Sequence, residues 1–157
     1  MTVGKPLHFY PDVVALGNAD GLTTEYHWDR TFPYVSSLLG MDCEQVSQLW
    51  EKDNPGIYPP SPIGYDMAVL EVLYDALSRC ETLEPAEIIK QIKATDYEGL
   101  YGKVSYTDKG VCLMPCVAAQ WLDTGSDIYT YEIFINGSAD RPEIPTVPAV
   151  VMPTTTR

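Results

Sequence analysis

Apolar residues recur at helical spacing along one central stretch: Ile63, Met67, Leu70, Tyr74 and Leu77 form a stripe, widened by Val69, Leu73 and Ala76. The pattern predicts a helix with little polar surface. Glu71, Asp75 and Arg79 fall four apart and mark its one wet edge, acid preceding base in the favourable order. A helix this apolar requires cover over most of its circumference. A second helix follows, with Pro85 suited to a first turn, Glu84 and Glu87 beside the positive end of the dipole, and Lys90 and Lys93 in the last turn. Ile88, Ile89 and Ile92 form its expected buried side. Upstream, Asp42 and Gln45 have the spacing of a capping box, with Met41 and Val46 placed to staple it. Val46, Leu49 and Trp50 are expected to face inward until Asn54-Pro55-Gly56 ends that helix.

Elsewhere the period drops to two. Lys5 to Tyr10 reads as a short strand, and Pro11-Asp12 then open a brief helical or turn segment that stops at glycine. Leu22, Thr24, Tyr26 and Trp28 alternate onto one side of a strand. Prolines keep Ile57 to Pro62 extended. Tyr97 to Gly102 reads as a turn, Lys103 to Tyr106 as a strand, and Thr107 to Gly110 as a tight turn. Val117 to Leu122 and Ile128 to Ile135 are rich in strand formers and pair as a hairpin. From Gly137 onward prolines recur without periodicity, and the tail is expected to be extended, draped over the body at most.

Composition narrows the function. A net charge of -12 on 157 residues disfavours nucleic acid and anionic membrane surfaces, which select basic patches. No apolar run approaches the roughly 20 residues that span a bilayer, so no membrane insertion is expected. The first residues carry no apolar core of an export signal. Cys43, Cys80, Cys112 and Cys116 form no recognisable framework, and free thiols or a disulfide both remain open. With His8 and His27 the only imidazoles, there is no zinc pair, phosphate loop or nucleophile elbow. The expectation is a binding protein, not an enzyme, without a cofactor.

Three pieces in order carry a family resemblance: GYDMAVLEVLYDAL from Gly64, IIKQIKATDYEGLYGKVSYTDKG from Ile88, and VAAQWLDTG from Val117. GLTTEYHWDRTFPYVSSLLG lies upstream of them. Together they resemble the closing part of the type 1 periplasmic binding proteins, the branched-chain amino-acid and amide receptors of ABC importers. The resemblance implies an α/β chain with an incomplete type 1 fold: pieces of two Rossmann-like lobes, three main helices and a C-terminal β-hairpin. Residues 1–30 would be a second-lobe piece with a hinge strand and 31–108 a helical first-lobe piece. Residues 109–136 would return second-lobe strands, and 137–157 would be the tail. It also implies a small polar organic ligand such as an amino acid, amide or carboxylate, an ABC permease as partner of the full-length protein, and a periplasmic or extracellular setting.

By the same resemblance, the tip formed by Tyr10 and Asp12 faces the ligand cleft, with Asp12 placed to meet an ammonium group. From the residues alone, Asp12 reads as an ordinary helix N-cap. Tyr26 and Trp28 lie at a lobe crossing and are expected either to stack on the ligand or to pack in the core. Tyr58 is the aromatic that the first lobe would present. A sensory ligand-binding domain or amide regulator on the same fold is the alternative reading. So is a self-associating half-fold, a homodimer without ligand, because the apolar helix would lack the strands it normally covers.

Overall fold

Where the local chemistry is strong, the elements form as the spacing predicts. The computed structural model describes residues 5–125 and 129–150. Asp42 caps α2 (Cys43–Asp53) by accepting the Gln45 N–H at 2.8 Å, and Gln45 Oε1 accepts the Asp42 N–H at 3.0 Å. Val46 is buried beside the half-buried Met41, but Leu49 is half-exposed. The inward face is instead drawn by Cys43, Val46 and Ser47. Arg30 fixes that rotation by gripping Glu44 and Glu51, two turns apart on one side, at 2.6 Å each.

α3 (Pro62–Ser78) is the longest element, and its rotation departs from the apolar stripe. Its buried residues are Gly64, Ala68, Glu71, Val72 and Ala76. Glu71, expected on the wet edge, has no exposed surface. Its Oε1 accepts the Ser36 hydroxyl at 2.6 Å and the Ser37 N–H at 3.1 Å, and its Oε2 accepts the Leu100 N–H at 3.0 Å. Small residues on the same face permit close approach: a Cβ on Gly64 would stand inside the indole of Trp28. Outward face Val69, Leu70, Leu73, Tyr74 and Leu77, with Val69 65% and Tyr74 63% exposed. α4 (Pro85–Lys93) starts at its proline and ends in its lysines as expected, yet none of its residues is buried. Ile89 is half-exposed, with Ile88 and Ile92 only partly covered. Arg79 ties the two helices together, pairing with Asp75 at 2.6 Å and donating to Gln91 Oε1 at 2.7 Å.

β1 (Thr23–Tyr26), β4 (Val117–Asp123) and β5 (Tyr129–Asn136) make an antiparallel sheet with β4 in the middle. Thr24, Tyr26 and Trp28 alternate inward, as their spacing requires. Ile128, the expected first residue of β5, lies outside the described residues. β2 (Asp96–Gly99) and β3 (Gly102–Ser105) form a second, two-stranded sheet where a turn and a single strand are predicted. Gly102 takes a φ of +73° at the end of that hairpin turn, a region costly for other residues.

The two ends of the chain correct the sequence-based expectation. Lys5–His8 is a 3₁₀ turn, not a strand, and leads into α1 (Tyr10–Ala15), whose first turn holds Pro11. This turn binds the sheet by side chains instead of a ladder: Trp121 Nε1 donates to Leu7 O at 3.0 Å and His8 Nε2 to Glu25 O at 2.7 Å. The tail as far as residue 150 is built into the body, and residues 151–157 lie outside the described residues. Arg141 is 6% exposed and its guanidinium donates to the carbonyls of Tyr101 and Lys103 at 3.0 and 2.6 Å. Ile144 is buried, and Gln120 exchanges two 3.0 Å bonds with the Val150 backbone.

Glu71→Ala would strand three buried or half-buried donors, and a loss on the order of 3 kcal/mol is expected. Urea unfolding checks this; a loss within about 0.5 kcal/mol, typical of surface sites, would show that Glu71 is not the anchor of α3.

Candidate functional site

Two distant segments meet where α1 begins and the stiff Ile57–Pro60 stretch passes. Pro11 presets the first turn of α1, and the prolines after Tyr58 hold the second segment extended. Between them lies a hollow of about 200 Å³ lined by Phe9, Tyr10, Pro11, Trp50, Ile57 and Tyr58, with Asn54 and Pro60 at its edge. That is below the roughly 300–1,000 Å³ of a typical small-molecule site. Its wall is almost wholly apolar and aromatic, suited to a short hydrocarbon group.

Of the residues that the sequence points to, Tyr10 and Tyr58 come together on this hollow. Asp12 is exposed in the first turn of α1, directly after the lining residues Tyr10 and Pro11 but not itself on the wall. Tyr26 and Trp28 lie elsewhere: neither has exposed surface, and both are core residues. The Tyr26 hydroxyl donates to Pro59 O at 3.3 Å and accepts the Ser61 N–H at 2.9 Å, while Trp28 Nε1 donates to Leu100 O at 3.2 Å. They position the site from beneath. Ser61 Oγ completes the joint by accepting the backbone N–H groups of His27 and Trp28.

Behind Tyr58 stands a residue that periodicity does not reveal. Asp29 is 2% exposed. Its Oδ2 accepts the Tyr58 hydroxyl at 2.9 Å, and its Oδ1 accepts the Thr31 N–H and hydroxyl at 3.0 and 2.8 Å. The Tyr58 hydroxyl is therefore spent inward, and the ring is what the hollow meets. Trp121 and Tyr131 pack edge-on and tilted against that ring at centroid distances of 5.9 and 6.1 Å. Arg30 lies 5.9 Å from its centre. Burial, then the Asp29 charge, push the Tyr58 hydroxyl well above its ordinary range. The sequence signal for Asp29 was an Asx-turn, an Asp two residues before a Thr; that for Arg30 was the shared helical face of Glu44 and Glu51.

Among the described residues no group of three or more His, Cys, Asp and Glu side chains is placed to hold a metal ion. All four cysteines are free, and burial pushes the Cys43 thiol up to about 12. No helix among the described residues is long and apolar enough to cross a membrane.

No family model and no curated protein matches the sequence. Solved structures do match its fold. A leucine-binding protein from Thermotoga maritima is 16% identical with a TM-score of 0.66, over 87% of this chain and 37% of that one. A leucine-, isoleucine-, valine-, threonine- and alanine-binding protein from Brucella ovis, in a closed conformation, is 15% identical with a TM-score of 0.61, over 90% and 37%. An ABC transporter substrate-binding protein from Sphaerobacter thermophilus is 13% identical with a TM-score of 0.60, over 87% and 36%. The fold is thus the α/β fold of one part of the type 1 substrate-binding proteins, and the chain spans little more than a third of their length.

Burial outweighs the Thr31 and Tyr58 hydrogen bonds and raises the Asp29 carboxyl above its ordinary value. The folded state therefore holds this proton more tightly than the unfolded state. Its contribution is favourable below the unfolded value of about 4 and is lost as pH rises through the raised folded value. Asp29→Asn, which keeps an acceptor for Thr31, should be more stable than the parent at neutral pH. The two melting temperatures should converge near about pH 3. A less stable variant at neutral pH would mean that the hydrogen bonds outweigh burial.

Proposed function

We propose that this chain is part of the solute-binding component of an ABC importer, taking up a small polar organic ligand with an apolar side group. The observation that carries the reading is the meeting of Tyr10 and Tyr58 on one apolar hollow, in a fold shared with leucine-binding receptors. The hollow receives the ligand's hydrocarbon group against the Tyr58 ring, which Asp29 and Arg30 hold in place. The carboxylate of Asp12 meets the ligand's ammonium from the adjoining turn. Residues 1–30 and 109–136 belong to one lobe and 31–108 to the other, so a ligand at this seam touches both. In the full-length protein, closure of the lobes over the ligand makes the surface that an ABC permease reads, in a periplasmic or extracellular setting.

Titration of the chain with leucine should quench Trp50 fluorescence with an affinity in about the millimolar range, since only part of a receptor is present. Asp12→Ala should weaken the response about fivefold, the worth of an exposed charge pair. No response to any of leucine, isoleucine or valine would sink the ligand class. Unchanged affinity in Asp12→Ala would remove Asp12 from the site.

A second reading rests on the exposed side of α3. Leu70, Leu73 and Leu77 repeat at spacings of three and four, flanked by Val69 and Tyr74, the arrangement of an antiparallel coiled-coil seam. Self-association of two copies through this seam would cover it. Sedimentation should then show a concentration-dependent dimer that Leu70→Glu abolishes; a monomer throughout the micromolar range refutes it.

A further inference from the structure

Both histidines of the chain fall on one hollow that the reading above leaves unused. It lies between β1 and α3 and holds about 520 Å³, within the range of small-molecule sites. It is lined by His8, Glu25, His27, Tyr65, Val69 and Met114, and shares no residue with the Tyr10–Tyr58 hollow. We infer that this hollow binds a small organic cation, an ammonium group carried on an apolar stem.

The chemistry of the lining selects the charge. His27 Nδ1 lies 2.8 Å from the Pro115 carbonyl oxygen. A carbonyl only accepts, so Nδ1 carries a hydrogen, and Nε2 is the ring nitrogen that this bond leaves over. His8, on the same wall, donates through the other ring nitrogen, Nε2, to Glu25 O at 2.7 Å. Glu25 adds a carboxylate, and Tyr65 adds an aromatic ring, a group that attracts cations over its face. Among the described residues, no lysine or arginine lines the hollow. The net charge of -12 raises the local concentration of cations around the whole chain.

The remaining wall selects the stem. Val69 is 65% and Met114 48% exposed, so both present apolar surface that a ligand's hydrocarbon part would cover. Methionine adapts its shape to such a group at little cost. A bare metal ion fits poorly, because among the described residues no three ligating side chains converge to hold one.

The test uses three probes with one stem: hexylammonium, hexanoate and hexanol. NMR titration of the whole chain reads the ring signals of His27 and the methyl of Met114. Hexylammonium should shift both saturably, while hexanoate shifts neither and hexanol binds more weakly. Glu25→Gln, at a half-exposed position, should weaken hexylammonium about fivefold. Met114→Ala should weaken it independently through the stem. Equal binding of hexanoate or hexanol, a shift that never saturates, or undiminished binding in a folded Glu25→Gln would each overturn the inference. If either variant unfolds, the three probes on the parent chain decide alone.

Discussion

A carboxylate with no exposed surface must be met by donors, and in this fold Glu71 dictates what surrounds it. Its two oxygens gather the Ser36 hydroxyl, the Ser37 N–H and the Leu100 N–H, from the loop before α2 and the turn between β2 and β3. No cation pairs with it among the described contacts; hydrogen bonds alone offset its desolvation. Breaking any one leaves a charge in a dry place, so the three segments are bound together. The rotation of α3 follows from this, because the face that carries Glu71 must point inward.

The consequence is a helix whose packing is inverted relative to its hydrophobicity. Gly64, Ala68 and Ala76 face in and supply little apolar area, but they let Trp28 lie close to the helix. The larger Val69, Leu70, Leu73 and Tyr74 face out. Simple burial of apolar area would favour the opposite arrangement by several kcal/mol. The observed rotation wins because an unmet carboxylate, an inserted indole and a stranded turn would cost more. What lies outside is therefore an exposed apolar surface, and the solved structures that share this fold are more than twice as long.

The junction between the end of β1 and the start of α3 shows how rigidity below serves access above. Tyr26, Trp28 and Ser61 lock this junction with hydrogen bonds to backbone, and Asp29 holds the Tyr58 hydroxyl. None of these groups meets solvent freely, yet together they decide that a ring and not a hydroxyl is presented at the hollow. A site built this way selects shape and apolarity first. On the proposed reading, charge enters from its edge, at Asp12, or from the separate β1–α3 hollow.

Local rules were legible in the residues themselves. The Asp42–Gln45 cap, the proline start of α4, the Asp75–Arg79 pair, the alternation through Tyr26 and Trp28, and the β4–β5 hairpin all depend on neighbours within a few positions. The family pattern also came from short ordered motifs, and with it the fold. What needed tertiary structure were choices between surfaces of similar local merit. Periodicity cannot tell that Glu71 faces inward, because its donors lie about thirty residues away on either side. Nor can composition tell that the tail is anchored, since Arg141 finds its carbonyls only once the β2–β3 hairpin has closed. The 3₁₀ turn at Lys5–His8 replaced a strand for the same reason: the hydrogen bonds that hold it join distant residues, His8 to Glu25 of β1 and Trp121 to Leu7. Short-range hydrogen bonding and alternation are written in the chain, whereas the burial of a charge is decided by whichever distant donors the fold delivers.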